Sequence, residues 1–128
     1  MAEQKHKILV IDDNPDLLDI VEAVLSESGF MVAKALSGES GLSVARNLQP
    51  HLILLDLNMP VMDGWEVLKL LKSEESTCNI PVAIFSVRVD IKDKIFGLQR
   101  GAVDYISKPF QYDQLADRVK RILASQPA

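Results

Sequence analysis

Cysteine is almost missing from these 128 residues: Cys78 stands alone, so an intrachain disulfide and a cysteine metal cluster are both excluded. Aromatic residues make up only 5%, too few for a platform on which nucleic-acid bases would stack. Positive charge is in deficit as well. With 14 Lys and Arg against 18 Asp and Glu the formal net charge is −4, which works against phosphate backbones and anionic membranes and argues against direct nucleic-acid binding. Long apolar runs are lacking too. The run that follows the polar first seven residues stops at Ile11, before two aspartates, which is too short for a signal peptide, and nothing elsewhere is long enough to span a bilayer. A cytoplasmic location is the expectation. What is present, 48% hydrophobic and 25% charged residues, is the composition of one ordinary globular domain. We place that domain at 7–124, with a polar lead-in at 1–6 and a tail or linker stub at 125–128.

The chain is organised around His51-Leu52-Ile53-Leu54-Leu55-Asp56-Leu57-Asn58-Met59-Pro60. Four apolar residues in a row ending on a carboxylate, with a proline four residues later, predict a strand buried on both faces. Residues 8–11 predict a similar strand ending at Asp12-Asp13, and 31–35 a weaker one. Residues 80–85 predict a fourth strand closed by Ser86, and 102–106 a fifth closed by Ser107-Lys108-Pro109. Helical periodicity fills the gaps. Asn14-Pro15 starts a helix with Leu17, Val21, Val24 and Leu25 inward. Ser37 caps one carrying Leu42, Ala45 and Leu48. A third turns Gly64, Val67, Leu68 and Leu71 inward and Lys69 and Lys72 outward. A fourth starts near Asp90 and Asp93 with the stripe Ile91, Ile95 and Leu98, and a fifth carries Leu115, Val119, Ile122 and Leu123. Five alternations with short connections predict an α/β fold, a doubly wound parallel sheet with helices on both faces.

In such a sheet the strand ends deliver Asp12, Asp13, Asp56, Ser86 and Lys108 to one rim. Singly each residue has an ordinary reading: Asp12-Asp13 as a helix start, Asp56 as a turn residue, Ser86 as a cap, Lys108 as a solvated charge. Together they predict chemistry. Carboxylates about 5 Å apart repel by roughly 3 kcal/mol per pair at an effective dielectric near 20. A hard divalent cation with oxygen ligands and several waters relieves this, and Mg²⁺ is the natural occupant. An aspartate shielded by metal and lysine can act as a nucleophile toward phosphorus, giving an acyl phosphate whose oxygen the Ser86 hydroxyl would hydrogen-bond.

Val10-Ile11-Asp12-Asp13-Asn14, Leu54-Leu55-Asp56-Leu57-Asn58-Met59-Pro60, Met62-Asp63-Gly64 and residues 101–110 (GAVDYISKPF) resemble the receiver domain of bacterial two-component response regulators. The resemblance runs in register from about Lys7 to Leu123. It implies a flavodoxin-like, three-layer fold with strand order 2-1-3-4-5. It implies that Asp56 accepts a phosphoryl group from a phosphohistidine of a sensor kinase or phosphotransfer protein. It implies Mg²⁺ or Mn²⁺ held by Asp13, Asp56 and the Asn58 backbone carbonyl, with Asp12 acting through water. Lys108 would contact the phosphate, through a cis Lys108-Pro109 bond. Ser86 would be the switch hydroxyl and Tyr105 the aromatic that follows it, with the fourth helix, fifth strand and fifth helix as the surface that switches. Asn58, Val87 and Arg88 take positions controlling access to the site. The implied activity is signalling, with catalysis limited to the domain's own phosphoryl transfer and hydrolysis. A downstream effector and a phosphorylation-linked dimer, or a monomer, are both compatible with it.

Some positions depart from the pattern. Val87 replaces a very small residue and is expected to crowd the site and slow dephosphorylation. His51 stands where an aspartate is common, and Val103 replaces a frequent acidic residue. Trp65 is expected near the site, while His6, His51 and Cys78 are read as incidental. Three other functions compete. A receiver used only for docking is opposed by the complete set of polar residues, and an aspartyl-phosphate phosphatase by Asn58, which stands where such enzymes have a second aspartate. A flavodoxin-like cofactor binder is opposed by Asp12, Asp13 and Asp16, which would repel a phosphate.

Overall fold

A computed structural model describes residues 5–86 and 91–126. Five strands alternate with five helices: β1 (Lys7–Ile11), α1 (Pro15–Glu27), β2 (Met31–Ala35), α2 (Gly38–Leu48), β3 (Leu52–Leu55), α3 (Gly64–Ser73), β4 (Val82–Ser86), α4 (Ile91–Gln99), β5 (Asp104–Ser107) and α5 (Tyr112–Ala124). The strands form one parallel sheet in the order β2-β1-β3-β4-β5, with Ile8 beside Leu52 and Ile53 beside Val82. The fold is the expected three-layer α/β arrangement.

Both faces of the sheet are buried, which is why the central strands read as continuous apolar runs. Alternate residues serve opposite layers. Leu9, Ile11, Ile53, Leu55, Val82 and Ile84 pack with Leu42 and Ala45 of α2 and with Val67, Leu68 and Leu71 of α3. Ile8, Val10, Leu52, Leu54, Ala83 and Phe85 pack with α1 and α5 through Leu18, Val21, Leu25, Leu115 and Val119.

The helices begin where the capping residues stand. Asn14 Oδ1 accepts from the amides of Asp16 and Leu17, Ser37 Oγ from Ser40, and Asp63 Oδ1 from Glu66. The structure corrects several details. In α1 the buried leucine is Leu18, and Leu17 is only half-buried, because the helix faces the sheet with Leu18, Val21 and Leu25. Leu48 is likewise half-buried, beside the chain reversal at Gln49 (φ 53). β4 starts at Val82, since Pro81 has no amide to donate and the Ile80 amide is spent on the Thr77 carbonyl. β5 starts at Asp104, because the Ala102 amide turns back to the Gly97 carbonyl and closes α4.

Two helix faces also differ from expectation. Lys72 is not outward: its half-buried ammonium donates to the carbonyls of Cys78 (3.2 Å) and Ile80 (2.9 Å). Burial holds its pKa below the ordinary lysine value. On α4, Ile95 and Leu98 are 50% and 54% exposed, and the residue turned inward is Gly97, which lies under Trp65 and Ile84. Asp90 falls outside the described residues.

Candidate functional site

The hydrogen-bond ladder of the sheet runs past the strand ends and thereby fixes the polar residues. The Asp12 amide donates to the Ala35 carbonyl, the Asp56 amide to Ile11, and the Lys108 amide to Ser86. Asp12 and Asp56 then turn in the same way. Each carboxylate accepts from the amide two residues later, Asn14 at 3.0 Å and Asn58 at 3.3 Å, which starts the chain away from the sheet. A third constraint comes from Gly64. A Cβ there would stand 2.3 Å from the Asp56 carbonyl oxygen, so only glycine lets α3 begin this close to the Asp56 backbone.

Asp12, Asp13 and Asp56 bring carboxylate oxygens within 4.8 Å of one another. Asp12 and Asp56 are 0% and 4% exposed, whereas Asp13 opens to solvent. Among the described residues the cation paired with them is Lys108, whose Nζ lies 2.5 Å from Asp12 Oδ2 and 3.6 Å from Asp56 Oδ1. It also sits over the Phe85 ring, 4.9 Å from the centroid. One ammonium against three carboxylates leaves negative charge in excess. Burial raises the Asp56 pKa above the ordinary 3.8; Lys108 opposes the rise, and Asp12 and Asp13 add to it. The donor set fits a hard cation: all three groups offer oxygen, two are fixed by their own loops, and the third faces water.

Ser86 is buried, and its hydroxyl accepts from Asn58 Nδ2 at 3.4 Å, a contact that joins the ends of β3 and β4. Tyr105, on the neighbouring strand, is 4% exposed and belongs to the core on the α2/α3 side. The Lys108-Pro109 bond is cis. Val87 and Arg88 lie outside the described residues. Trp65 packs edge-on against Phe96 of α4, with ring centroids 4.6 Å apart, so its ring reports on the seam between α3 and α4. His51 turns out to have a structural contact, at the opposite end of the sheet. Its Nδ1 accepts from the Lys7 amide at 2.9 Å, and its ring meets His6 edge-on at 5.0 Å.

Val61 is not marked by any feature of the sequence. This residue has φ 71, and the Met62 amide donates to the Pro60 carbonyl across it at 2.8 Å. Together these define a γ-turn of the positive-φ kind, which is rare and strained for a branched side chain. Its only cue would be backbone angle, which one sequence does not display.

The arrangement can hold a cation, shield an anionic group arriving at Asp56, and relay that arrival to Ser86. Residues 8–120 match the family described as the response regulator receiver domain. The chain is 41% identical over 117 residues to the DNA-binding dual master transcriptional regulator RpaA of Synechocystis, covering 91% of this chain and 48% of that one. It is also 41% identical to the transcriptional regulatory protein PrrA of Mycobacterium tuberculosis, covering 91% and 49%. The chain thus spans about half the length of these relatives. Chemotaxis protein CheY4 of Vibrio cholerae superposes with a TM-score of 0.88 at 27% identity, covering 93% of this chain and 99% of that one.

Proposed function

The chain belongs to the response regulator receiver family, the phosphoacceptor signalling domains of two-component systems, and from that membership we propose that Asp56 is the residue that takes the phosphoryl group. The observation that carries the assignment is the position of Asp56 between Lys108 and two further carboxylates, at the end of a fully buried strand. An Asp56 carboxylate oxygen attacks the phosphorus of a phosphohistidine on a sensor kinase or phosphotransfer protein. The phosphorus–nitrogen bond breaks, its electron pair returns to the imidazole, and an acyl phosphate forms. Lys108 shields the incoming phosphoryl oxygens from Asp12 and Asp56. Water later attacks the phosphorus of the acyl phosphate, the bond to the Asp56 oxygen breaks, and inorganic phosphate leaves as the carboxylate is restored.

Receiver domains bind Mg²⁺ at a cluster of acidic residues, and here Asp13, Asp56 and the Asn58 carbonyl would hold it, with Asp12 acting through water. When bound, the ion neutralises charge on the nucleophile and on the phosphoryl group. Ser86, whose hydroxyl oxygen accepts from Asn58 Nδ2, would donate its own proton to a phosphoryl oxygen. Tyr105, two strand positions from Ser107 and paired with Ile84, lies inward where such a shift would be felt. The surface formed by α4, β5 and α5 is therefore the proposed output, and phosphorylation biases it by the stability it adds to one of two states. The relatives named as DNA-binding carry the other half of their length outside the matched region, so DNA contact is assigned to such a half and not to this domain.

The test is transfer from an autophosphorylated sensor histidine kinase in the presence of Mg²⁺, followed by intact mass. The wild-type chain should gain one phosphoryl group and Asp56→Asn none. Equal labelling of the two chains would overturn the assignment.

A further inference from the structure

We propose that the groove between α3 and α4 binds a nucleoside monophosphate whose base carries an exocyclic amine, an assignment independent of the phosphoacceptor reading. Two glycines of α4 face α3 across this groove. Gly97 lies under the Trp65 ring, and Gly101 lies against the stem of Lys72. Neither extends a side chain into the seam, and the space left open is a cavity of about 530 Å³. That falls within the roughly 300–1,000 Å³ of small-ligand sites, which is room for one base, one sugar and one phosphate but not for a strand.

The lining changes character along the groove. At the start of α3 it is aromatic and acidic. The Trp65 and Phe96 rings meet edge to face at 4.6 Å, with Phe96 40% exposed, and Asp63 and Glu66 bring carboxylates beside them. Asp63 Oδ1 is engaged by the Glu66 amide at 3.0 Å, whereas the Glu66 carboxylate has no partner among the described residues. Towards the end of α3 the lining is basic, with Lys69, Lys72 and Arg100. The Lys72 ammonium is committed to the carbonyls of Cys78 and Ile80, so it lends charge to this end and no free donor. The Arg100 guanidinium lies over the Phe96 ring, 4.5 Å from its centroid, and among the described residues neither it nor Lys69 has a carboxylate partner. Cations without a counter-ion attract an anion.

From Glu66 to Lys72 the helix rises about 9 Å, a length that an extended mononucleotide covers. Its ring would pack on Trp65 and Phe96, its amine would donate to Glu66, and its phosphate would accept from Lys69 and Arg100. An aromatic amino acid carries its amine beside its carboxylate and cannot answer both ends.

The test is titration with adenosine monophosphate, followed by calorimetry and by emission of Trp65, the single tryptophan. Mg²⁺ is left out, so that the acidic rim at Asp56 does not draw the phosphate. Both signals should follow one isotherm with a dissociation constant below about 1 mM. Inorganic phosphate, adenosine and uridine monophosphate, whose base lacks the amine, should each bind about tenfold more weakly or worse. Glu66, Arg100 and Arg121 are all exposed, so their substitution leaves the core intact. Arg100→Gln should weaken the adenosine nucleotide about tenfold, Glu66→Ala should erase its advantage over the uridine nucleotide, and Arg121→Gln on α5 should change neither. No calorimetric binding would overturn the proposal, as would a flat Trp65 signal beside a calorimetric isotherm. Phosphate alone or the uridine nucleotide binding as tightly as the adenosine nucleotide would also overturn it, and so would equal weakening by Arg100→Gln and Arg121→Gln.

Discussion

The two ends of the sheet are made by the same strands, yet they handle buried polar groups in opposite ways. At the amino ends the polar groups, whether buried like Thr77, half-buried like Lys72 or exposed like His51, have local partners. Thr77 is 1% exposed and its hydroxyl donates to the Leu71 carbonyl, Lys72 caps two carbonyls, and His51 accepts from Lys7. At the carboxyl ends three carboxylates converge on one ammonium, so the local charges do not cancel. Satisfied polar groups hold a fold together. The imbalance at the other end destabilises the isolated domain, and it is the feature that a cation and a phosphoryl group can use.

Removing the cation at each end should break the comparison most visibly. Lys108→Ala leaves Asp12 buried without its ion pair, and without Mg²⁺ this should lower stability by about 3 kcal/mol in denaturant titration, with much of the loss recovered when Mg²⁺ is added. Lys72→Met at the amino end should cost about 1–2 kcal/mol, unchanged by Mg²⁺. Mg²⁺ itself should raise the melting temperature of the wild-type chain, by the equivalent of about 2.7 kcal/mol at a hundredfold excess over its dissociation constant. Asp13→Asn should abolish most of that rise, and an undiminished rise would contradict the metal assignment.

Asp56→Asn should act in the opposite sense to Lys108→Ala. The Asp56 pKa is raised in the folded state by burial first, with Asp12 adding to it, so the folded chain binds this proton more tightly than the unfolded one. Asp56 therefore disfavours folding at pH values above its folded pKa, and the penalty fades as pH falls through that value. Without Mg²⁺, Asp56→Asn should stabilise the chain at neutral pH by on the order of 1 kcal/mol, measured by denaturant midpoint. The smallest effect belongs to the amino end. Burial, then the charges of His6 and Lys7, hold the His51 pKa below 6.5. The unfolded ring protonates first, so stability present above pH 6.5 is lost as pH falls through the lower folded value. His51→Asp keeps an acceptor for the Lys7 amide, and the variant should lose less stability between about pH 7.5 and 5.5, one unit on either side of the ordinary imidazole value of 6.5.

Much of this was legible in the sequence, for reasons that vary along the chain. The central strands are buried on both faces, so 52–55 could be nothing but apolar, and a carboxylate ending such a run marks a sheet rim. Asn14 and Ser37 announce their helices because capping is local chemistry, whereas the cap that Asp63 makes on α3 was read only as loop. What sequence reading missed depends on tertiary neighbours. The stripe of Ile95 and Leu98 has helical spacing, but α4 approaches Ile84 and Trp65 through Gly97, which periodicity of apolar residues does not weigh. Lys72 reads as a surface charge until the carbonyls of Cys78 and Ile80 are placed around it. In the site, Asp12, Asp13, Asp56, Ser86 and Lys108 were all visible as residues at strand ends. That Lys108 pairs most closely with Asp12, and that Val61 forms a strained turn, required coordinates.

The most direct measurement is to locate the modified residue. The chain is labelled with acetyl phosphate and Mg²⁺, reduced with borohydride to trap any acyl phosphate, digested, and mapped by tandem mass spectrometry. The account predicts a single reduced position, residue 56, and none in the same reaction without Mg²⁺. A trapped residue anywhere else, or equal trapping in Asp56→Asn, would contradict it.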